Sequence, residues 1–204
     1  MSINKIDEIL SDVRAGIPVL VVDDYDRENE GDLVIAAEKA NRFNISFCMR
    51  YARGLMCVPC HGSILDRLEI PMMVEHTTDA LETPFTVSVD AIKGATTGMS
   101  VYDRLQTLSI FLDDDSKPEE LSRPGHLFPL RPRENLLKDR RGHTESSIEL
   151  TKLANLKPIA VIVEIVNDDG TMAKGDDIDA FAKHHNLKII SVKEIYDAAY
   201  LESV

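Results

Sequence analysis

The sequence holds no tryptophan, and aromatic residues make up only 5% of its 204 positions. That scarcity leaves little of the stacking surface on which single-stranded nucleic acids are bound. Basic residues are also in deficit, 23 against 35 acidic ones, for a formal net charge of −12. A surface of that sign repels phosphate backbones, so no nucleic-acid partner is expected. A small anion is still admissible wherever a few arginines line a cleft. No apolar run approaches the ~18 residues that span a bilayer, and the opening MSINKIDEIL has no basic segment leading into an apolar stretch of signal-peptide type. The expectation is a cytoplasmic protein with no membrane partner. Cysteines number three, but a chain of this length buries about 70% of its unfolded surface and needs neither disulfides nor a structural metal to fold.

Hydrophobic residues at 44% and charged ones at 28% lie near globular averages. One domain over 1–204 is the reading. Apolar spacing predicts helices over 3–15, 41–53, 144–156, 178–185 and 193–201, and a further helix capped by Ser100 and running to Leu112. Short, continuously apolar segments predict strands at 18–22, 33–37, 55–58, 159–166 and 188–192, of the kind buried on both faces; residues 85–89 alternate as a strand. Pro118, Pro124, Pro129 and Pro132 break up 113–143, which reads as loops around at most one short strand near 127–130. Alternating elements imply an α/β (α+β) fold, a single layered domain with a mixed β-sheet core flanked by helices.

Three clusters carry chemistry. Asp23-Asp24-Tyr25-Asp26-Arg27-Glu28-Asn29-Glu30-Gly31-Asp32 places six carboxylates in ten residues between two apolar strands. In an extended chain Glu28, Glu30 and Asp32 share one face, where like charges demand a cation, an arginine or a shared proton. A divalent-metal or acid/base site and an acidic surface loop both fit. An EF-hand loop fits poorly, because its twelfth position falls on Ala37 and strands replace the flanking helices. Cys57-Val58-Pro59-Cys60-His61 matches a haem-attachment or redox C-x-x-C pattern by letter, yet it sits at the end of a strand with no export signal, so packed thiols are the simpler reading. Asp139-Arg140-Arg141-Gly142-His143-Thr144 precedes a helix, where free N–H groups, the helix dipole and arginines suit a phosphate as well as they suit an ordinary capped helix. Arg123-Pro124-Gly125-His126 and Asn167-Asp168-Asp169-Gly170-Thr171-Met172 form two further polar islands, whereas His76, His184 and His185 read as surface residues.

Taken with PMMVE at 71–75, TTGMSVYDR at 96–104, RPGHLFPLR at 123–131, GHTESS at 142–147 and NDDGTMA at 167–173, the acidic motif DDYDRENEGDL at 23–33 resembles the 3,4-dihydroxy-2-butanone 4-phosphate synthase family of riboflavin biosynthesis, in its monofunctional form. The resemblance implies a lyase that converts D-ribulose 5-phosphate to L-3,4-dihydroxy-2-butanone 4-phosphate and formate. It implies Mg²⁺, with Mn²⁺ able to substitute, no organic cofactor, and a homodimer with its sites near the interface. On the family pattern Glu28 and His143 match metal ligands and lie against the substrate. Arg27 and Asp32 match substrate contacts, Asp32 as a proton shuttle. Arg140, Arg141, Gly142 and Thr144 match the phosphate end, and His126 and Glu164 match an acid/base pair. Thr97 and Cys57 match residues lining the pocket, and Glu30 is placed to orient the ligands.

Overall fold

The computed structural model describes residues 6–201. Ile3, the first apolar position of the N-terminal helix reading, lies outside the described residues. The chain runs α1 (Ile6–Ala15), β1 (Val19–Val22), β2 (Gly31–Ala36), α2 (Arg42–Phe47), β3 (Arg53–Pro59), α3 (Gly62–Arg67), β4 (Val89–Ala91), α4 (Val101–Leu112), β5 (Leu121–Leu130), α5 (His143–Leu153), β6 (Ala160–Ile165), α6 (Asp176–His185), β7 (Ile189–Ser191) and α7 (Val192–Tyr200). The strands form one seven-stranded sheet in the order β4-β5-β3-β6-β2-β1-β7. It is mixed: β1 runs parallel to β7 and β3 to β5, while the β1–β2, β2–β6, β3–β6 and β4–β5 pairs are antiparallel.

Helices cover both faces of this sheet, which is why its central strands read as unbroken apolar runs. Side chains alternate between faces with period two. Leu20, Val22, Leu33 and Ile35 pack with Ile45, Leu108, Phe111 and Ile178 on one side. Val19, Val21, Val34 and Ala36 pack with Ile9, Val13, Leu150 and Ile195 on the other. The second layer therefore holds α1, α5 and α7, and nine consecutive residues of α5, His143 to Thr151, are buried. Its buried hydroxyls are satisfied locally, Ser146, Ser147 and Thr151 each donating to the carbonyl three residues back.

Two segments depart from the sequence expectation. The loop-dominated reading of 113–143 gives way to a ten-residue strand, β5, which passes through Pro124 and Pro129. Its pairing explains the tolerance: the ladder to β3 covers only Phe128 to Leu130, and the ladder to β4 slips between Ser122 and Leu127. Residues 123–126 thus form a bulge where no ladder N–H is required of Pro124. The alternating segment 85–89 makes only isolated bridges at Phe85 and Thr86, and regular pairing begins at Val89. Helix α3 was not foreseen; His61 caps it by accepting from the Ser63 N–H.

Candidate active site

Strand register assembles one wall of the site. Asp32 on β2 lies directly opposite Glu164 on β6. Both keep the parity of Val34 and Ile162, which face α5. Cys57 on β3 faces the same way, so three functional side chains from three strands emerge beside the first turn of α5. There a cleft of about 440 Å³, open mouth included, is lined by Arg27, Glu28, Asp32, Leu55, Cys57, Phe85, Arg140, His143, Thr144 and Glu164 among others. Gly54 permits the close β3–β6 approach, because a Cβ there would run into the Glu164 backbone.

The acidic segment is not extended as the one-face reading requires. Residues 25–28 form a turn, and only Gly31 and Asp32 of the segment enter β2. Asp23 causes the fold-back: its carboxylate accepts from the backbone N–H groups of Glu28 (3.1 Å) and Glu30 (2.9 Å) and from Arg27 Nη1 (2.7 Å). Arg27 also pairs with Glu28 Oε2 at 2.7 Å. Glu28 is thereby presented to His143, whose Nδ1 lies 3.4 Å from Glu28 Oε2 and 3.9 Å from Asp32 Oδ1. Glu30 turns instead to Lys174, 3.3 Å away.

Electrostatics follow from this crowding. Burial alone would raise the Glu28 carboxyl, but its hydrogen bond with His143 and the charge of Arg27 hold it down at about 2. Burial pushes Asp32 up to about 7, with Glu164, Glu28 and Asp23 adding to the rise and His143 opposing it. Burial alone would lower His143, yet the carboxylates of Asp32, Glu28 and Asp23 raise the imidazole to about 9. Glu164 sits exposed at the cleft mouth, where partial desolvation and the charges of Glu30 and Glu28 raise it while the Leu55 N–H opposes them. One carboxyl poised near neutrality beside one firmly ionised is an acid/base arrangement.

Among the described residues, two buried polar side-chain atoms lack a hydrogen-bond partner, Asp32 Oδ1 and His143 Nε2, and both belong to this cluster. Leaving such groups unpaired costs roughly 1–3 kcal/mol each, which a bound ligand would recover. Donor atoms of Asp23, Glu28 and His143 all lie within 4.8 Å of one another. Two carboxylates and an imidazole around orphaned donors fit a divalent cation. Sequence reading had missed Asp23 as a member of this group. Its position directly after an apolar strand was the available signal.

Beside the cluster stands an anion cradle. The N-cap of α5 is Gly142, which offers no side-chain cap. A Cβ at Gly142 would run into Arg140 and come close to the Arg27 guanidinium, so the absence of a side chain lets two cations converge on the helix start. Arg140 is held there by the fully buried Glu145, 2.7 Å from Nη1, and by the Leu81 carbonyl. Arg141 departs from the expectation of a phosphate contact. It is exposed, stacks 4.2 Å above the Tyr196 ring and lines no part of the cleft.

Thr97 and His126 also lie outside the cleft. They belong to a second cluster at the sheet edge, where His126 projects from the β5 bulge and pairs with Asp90 of β4. The CVPCH pattern is accounted for by packing and capping: Cys57 and Cys60 are buried, burial raises both thiols, and His61 caps α3. No described helix is long and apolar enough to cross a membrane.

Comparison with known proteins agrees over nearly the whole chain. The family model described as 3,4-dihydroxy-2-butanone 4-phosphate synthase matches residues 7–198. The Agrobacterium fabrum 3,4-dihydroxy-2-butanone 4-phosphate synthase is 45% identical over 96% of this chain and 92% of its own length. The chain spans only 40% of the Arabidopsis thaliana monofunctional riboflavin biosynthesis protein RIBA 2, chloroplastic, at 48% identity, and 49% of a Staphylococcus epidermidis riboflavin biosynthesis protein RibBA, at 45% identity. Among solved structures, a 3,4-dihydroxy-2-butanone 4-phosphate synthase in complex with two magnesium ions superposes with a TM-score of 0.89 at 38% identity, covering 94% of each chain. The Candida albicans enzyme gives 0.88 at 40% identity, covering 97% of this chain and 98% of its own. With the family model matching residues 7–198 and the Agrobacterium fabrum relative 45% identical over 96% of the chain, the chain belongs to the 3,4-dihydroxy-2-butanone 4-phosphate synthase family.

Proposed function

We propose that the protein is a Mg²⁺-dependent lyase that converts D-ribulose 5-phosphate to L-3,4-dihydroxy-2-butanone 4-phosphate and formate. The observation that carries this reading is the meeting of Glu28 and His143, with Asp32 Oδ1 and His143 Nε2 left without partners in the same cluster, beside the uncapped start of α5. The α5 N–H groups, Arg140 and Thr144 bind the phosphate, with Gly142 clearing its approach. Both Asp23 oxygens are committed to the loop and Arg27, which leaves Glu28 and His143 as the protein's metal ligands. When bound, Mg²⁺, or Mn²⁺ in its place, supplies the positive charge that favours enediolate formation. With one imidazole and one carboxylate from the protein, the remaining ligand positions of a bound Mg²⁺ would fall to substrate oxygens and water.

Asp32, raised towards neutrality and facing the cleft, takes and returns protons at the sugar hydroxyls. Glu164 at the mouth and His126 form the remaining acid/base pair. His126 lies outside the cleft of its own chain, so the reading requires a homodimer in which His126 and Thr97 of the partner subunit close the site. Ile92, Met99 and Tyr102, in the segments flanking the His126 cluster, expose large apolar side chains as an interface would. The test incubates the protein with ribulose 5-phosphate and Mg²⁺, with EDTA and Glu28→Gln as controls. Formate release by the first sample alone is expected; equal release in all three would reject the metal assignment.

A further inference from the structure

The NDDGTMA motif at 167–173 is a polar island that the proposed reaction does not use, and none of its side chains lines the cleft. It folds back on the end of β6 as a hairpin. Val166 bridges Met172, the Asn167 N–H donates to the Thr171 carbonyl at 2.8 Å, and the Ala173 N–H donates to the Ile165 carbonyl at 2.9 Å. Its polar side chains are spent on holding that shape. Asp169 Oδ1 accepts from both the N–H and the hydroxyl of Thr171, and Asn167 Nδ2 donates to Thr171 Oγ1 and to Asp177 Oδ2 in the first turn of α6. Asp168 pairs with Arg53 at the start of β3, 2.6 Å away. A turn bonded in this way to itself and to its neighbours is a fixed mount.

What the mount presents is the next residue, Lys174. Its Nζ donates to the Glu28 backbone carbonyl at 2.8 Å and lies 3.3 Å from Glu30 Oε1. The Glu28 N–H is already held by Asp23 Oδ2 at 3.1 Å. Both peptide groups that flank the Glu28 side chain are therefore gripped, one from each side of the loop. Asn29 follows at a φ of +56°, a left-handed conformation that asparagine tolerates, so the chain reverses where Lys174 holds it. Behind the loop, α6 packs closely, since a Cβ at Gly31 would lie 3.1 Å from Ile178 Cδ1. The hairpin and α6 thus back the second half of the acidic segment, while Asp23 and Arg27 brace it from within.

We infer that Lys174 is a positioning residue for Glu28: by fixing the Glu28 carbonyl it holds the turn that presents the carboxylate to His143, and the NDDGTMA hairpin serves to place it. The reason is partly geometric, because a side chain's direction follows from the backbone that bears it. It is also electrostatic. A lysine beside a cation site opposes the cation by its charge, so attraction cannot account for it, whereas the bond to the Glu28 carbonyl can. Glu30 in turn keeps the ammonium on that carbonyl. This inference rests on the proposed metal role of Glu28, and it adds a residue that the family motifs quoted above do not contain.

The test pairs two readouts that need no turnover. Mn²⁺ binding, followed by the electron paramagnetic resonance signal of the free ion, is expected to weaken roughly tenfold in Lys174→Met. Lys174→Arg, which keeps a charged donor, should stay within about threefold of the unsubstituted protein. Tryptic cleavage after Arg27 in metal-free protein, read by mass spectrometry, should be faster in Lys174→Met because the turn is loosened. A role in charge balance alone predicts the opposite sign, since removing a positive charge beside the site would tighten Mn²⁺ binding. Tighter or unchanged binding in Lys174→Met, with binding lost in Glu28→Gln, would overturn this inference and leave the metal reading standing. Unchanged binding in Glu28→Gln would overturn the metal role of Glu28 and this inference with it. Cleavage after Arg27 as slow in Lys174→Met as in the unsubstituted protein would overturn the positioning role whatever the metal does.

Discussion

The molecule carries two polar clusters built on opposite principles. At the start of α5, Glu28, Asp32 and His143 are buried, mutually perturbed and left with unpaired atoms. At the sheet edge, Asp90 holds His126 by both its ring Nδ1 and its backbone N–H, and the imidazole is presented outward. The first cluster is unfinished without a ligand. The second needs none to hold its shape. A site that must gather a cation and a sugar phosphate tolerates local strain, since ligand binding relieves it. A proton-transfer group gains more from preorganisation.

The largest effects should come from removing the proton-transfer groups. Asp32→Asn and His126→Gln are each expected to lower kcat for formate release by roughly 10² to 10⁴, read in a steady-state assay. Asp32→Asn should still bind Mg²⁺, which separates its role from that of Glu28. Next, mixing Glu28→Gln with His126→Gln and allowing subunits to exchange should restore about a quarter of the unsubstituted activity. Random pairing makes half the dimers mixed, and each mixed dimer regains one intact site. No recovery after verified exchange would place both clusters' work within one chain.

Smaller changes sharpen the contrast inside the phosphate cradle. Thr144→Val should raise KM for ribulose 5-phosphate about tenfold, the cost of one hydrogen bond to a charged group worth roughly 1.5 kcal/mol. Arg141→Ala should change activity by less than about twofold, because it trades only an exposed contact with Tyr196 worth roughly 0.5–1 kcal/mol. An effect of Arg141→Ala as large as that of Thr144→Val would show that the arginine swings into the cleft when substrate binds.

Much of the architecture was legible in the chain because its central strands are covered on both faces. Val19 to Val22 and Ala160 to Ile165 could hardly be anything else, and Ser100 marked the start of α4 by accepting from the Asp103 N–H. The α5 cradle was legible too, since Gly142 followed by Thr144 is local chemistry. What escaped depended on contacts distant in sequence. Strand β5 is hidden by its prolines until β3 and β4 supply the bulge that accommodates them. Asp23 and Asp90 were ordinary acidic residues until the fold placed one under Arg27 and the other under His126. Arg140 and Arg141 are neighbours in sequence, and only packing against Glu145 and Tyr196 sends them in different directions.

Titration of the protein with Mn²⁺, followed through the histidine ring signals in NMR, addresses the shared ion most directly. Paramagnetic broadening of His143 at substoichiometric Mn²⁺, reversed by excess Mg²⁺ and absent in Glu28→Gln, is the expected result. A His143 signal that stays sharp while His61 or His184 broadens would contradict it.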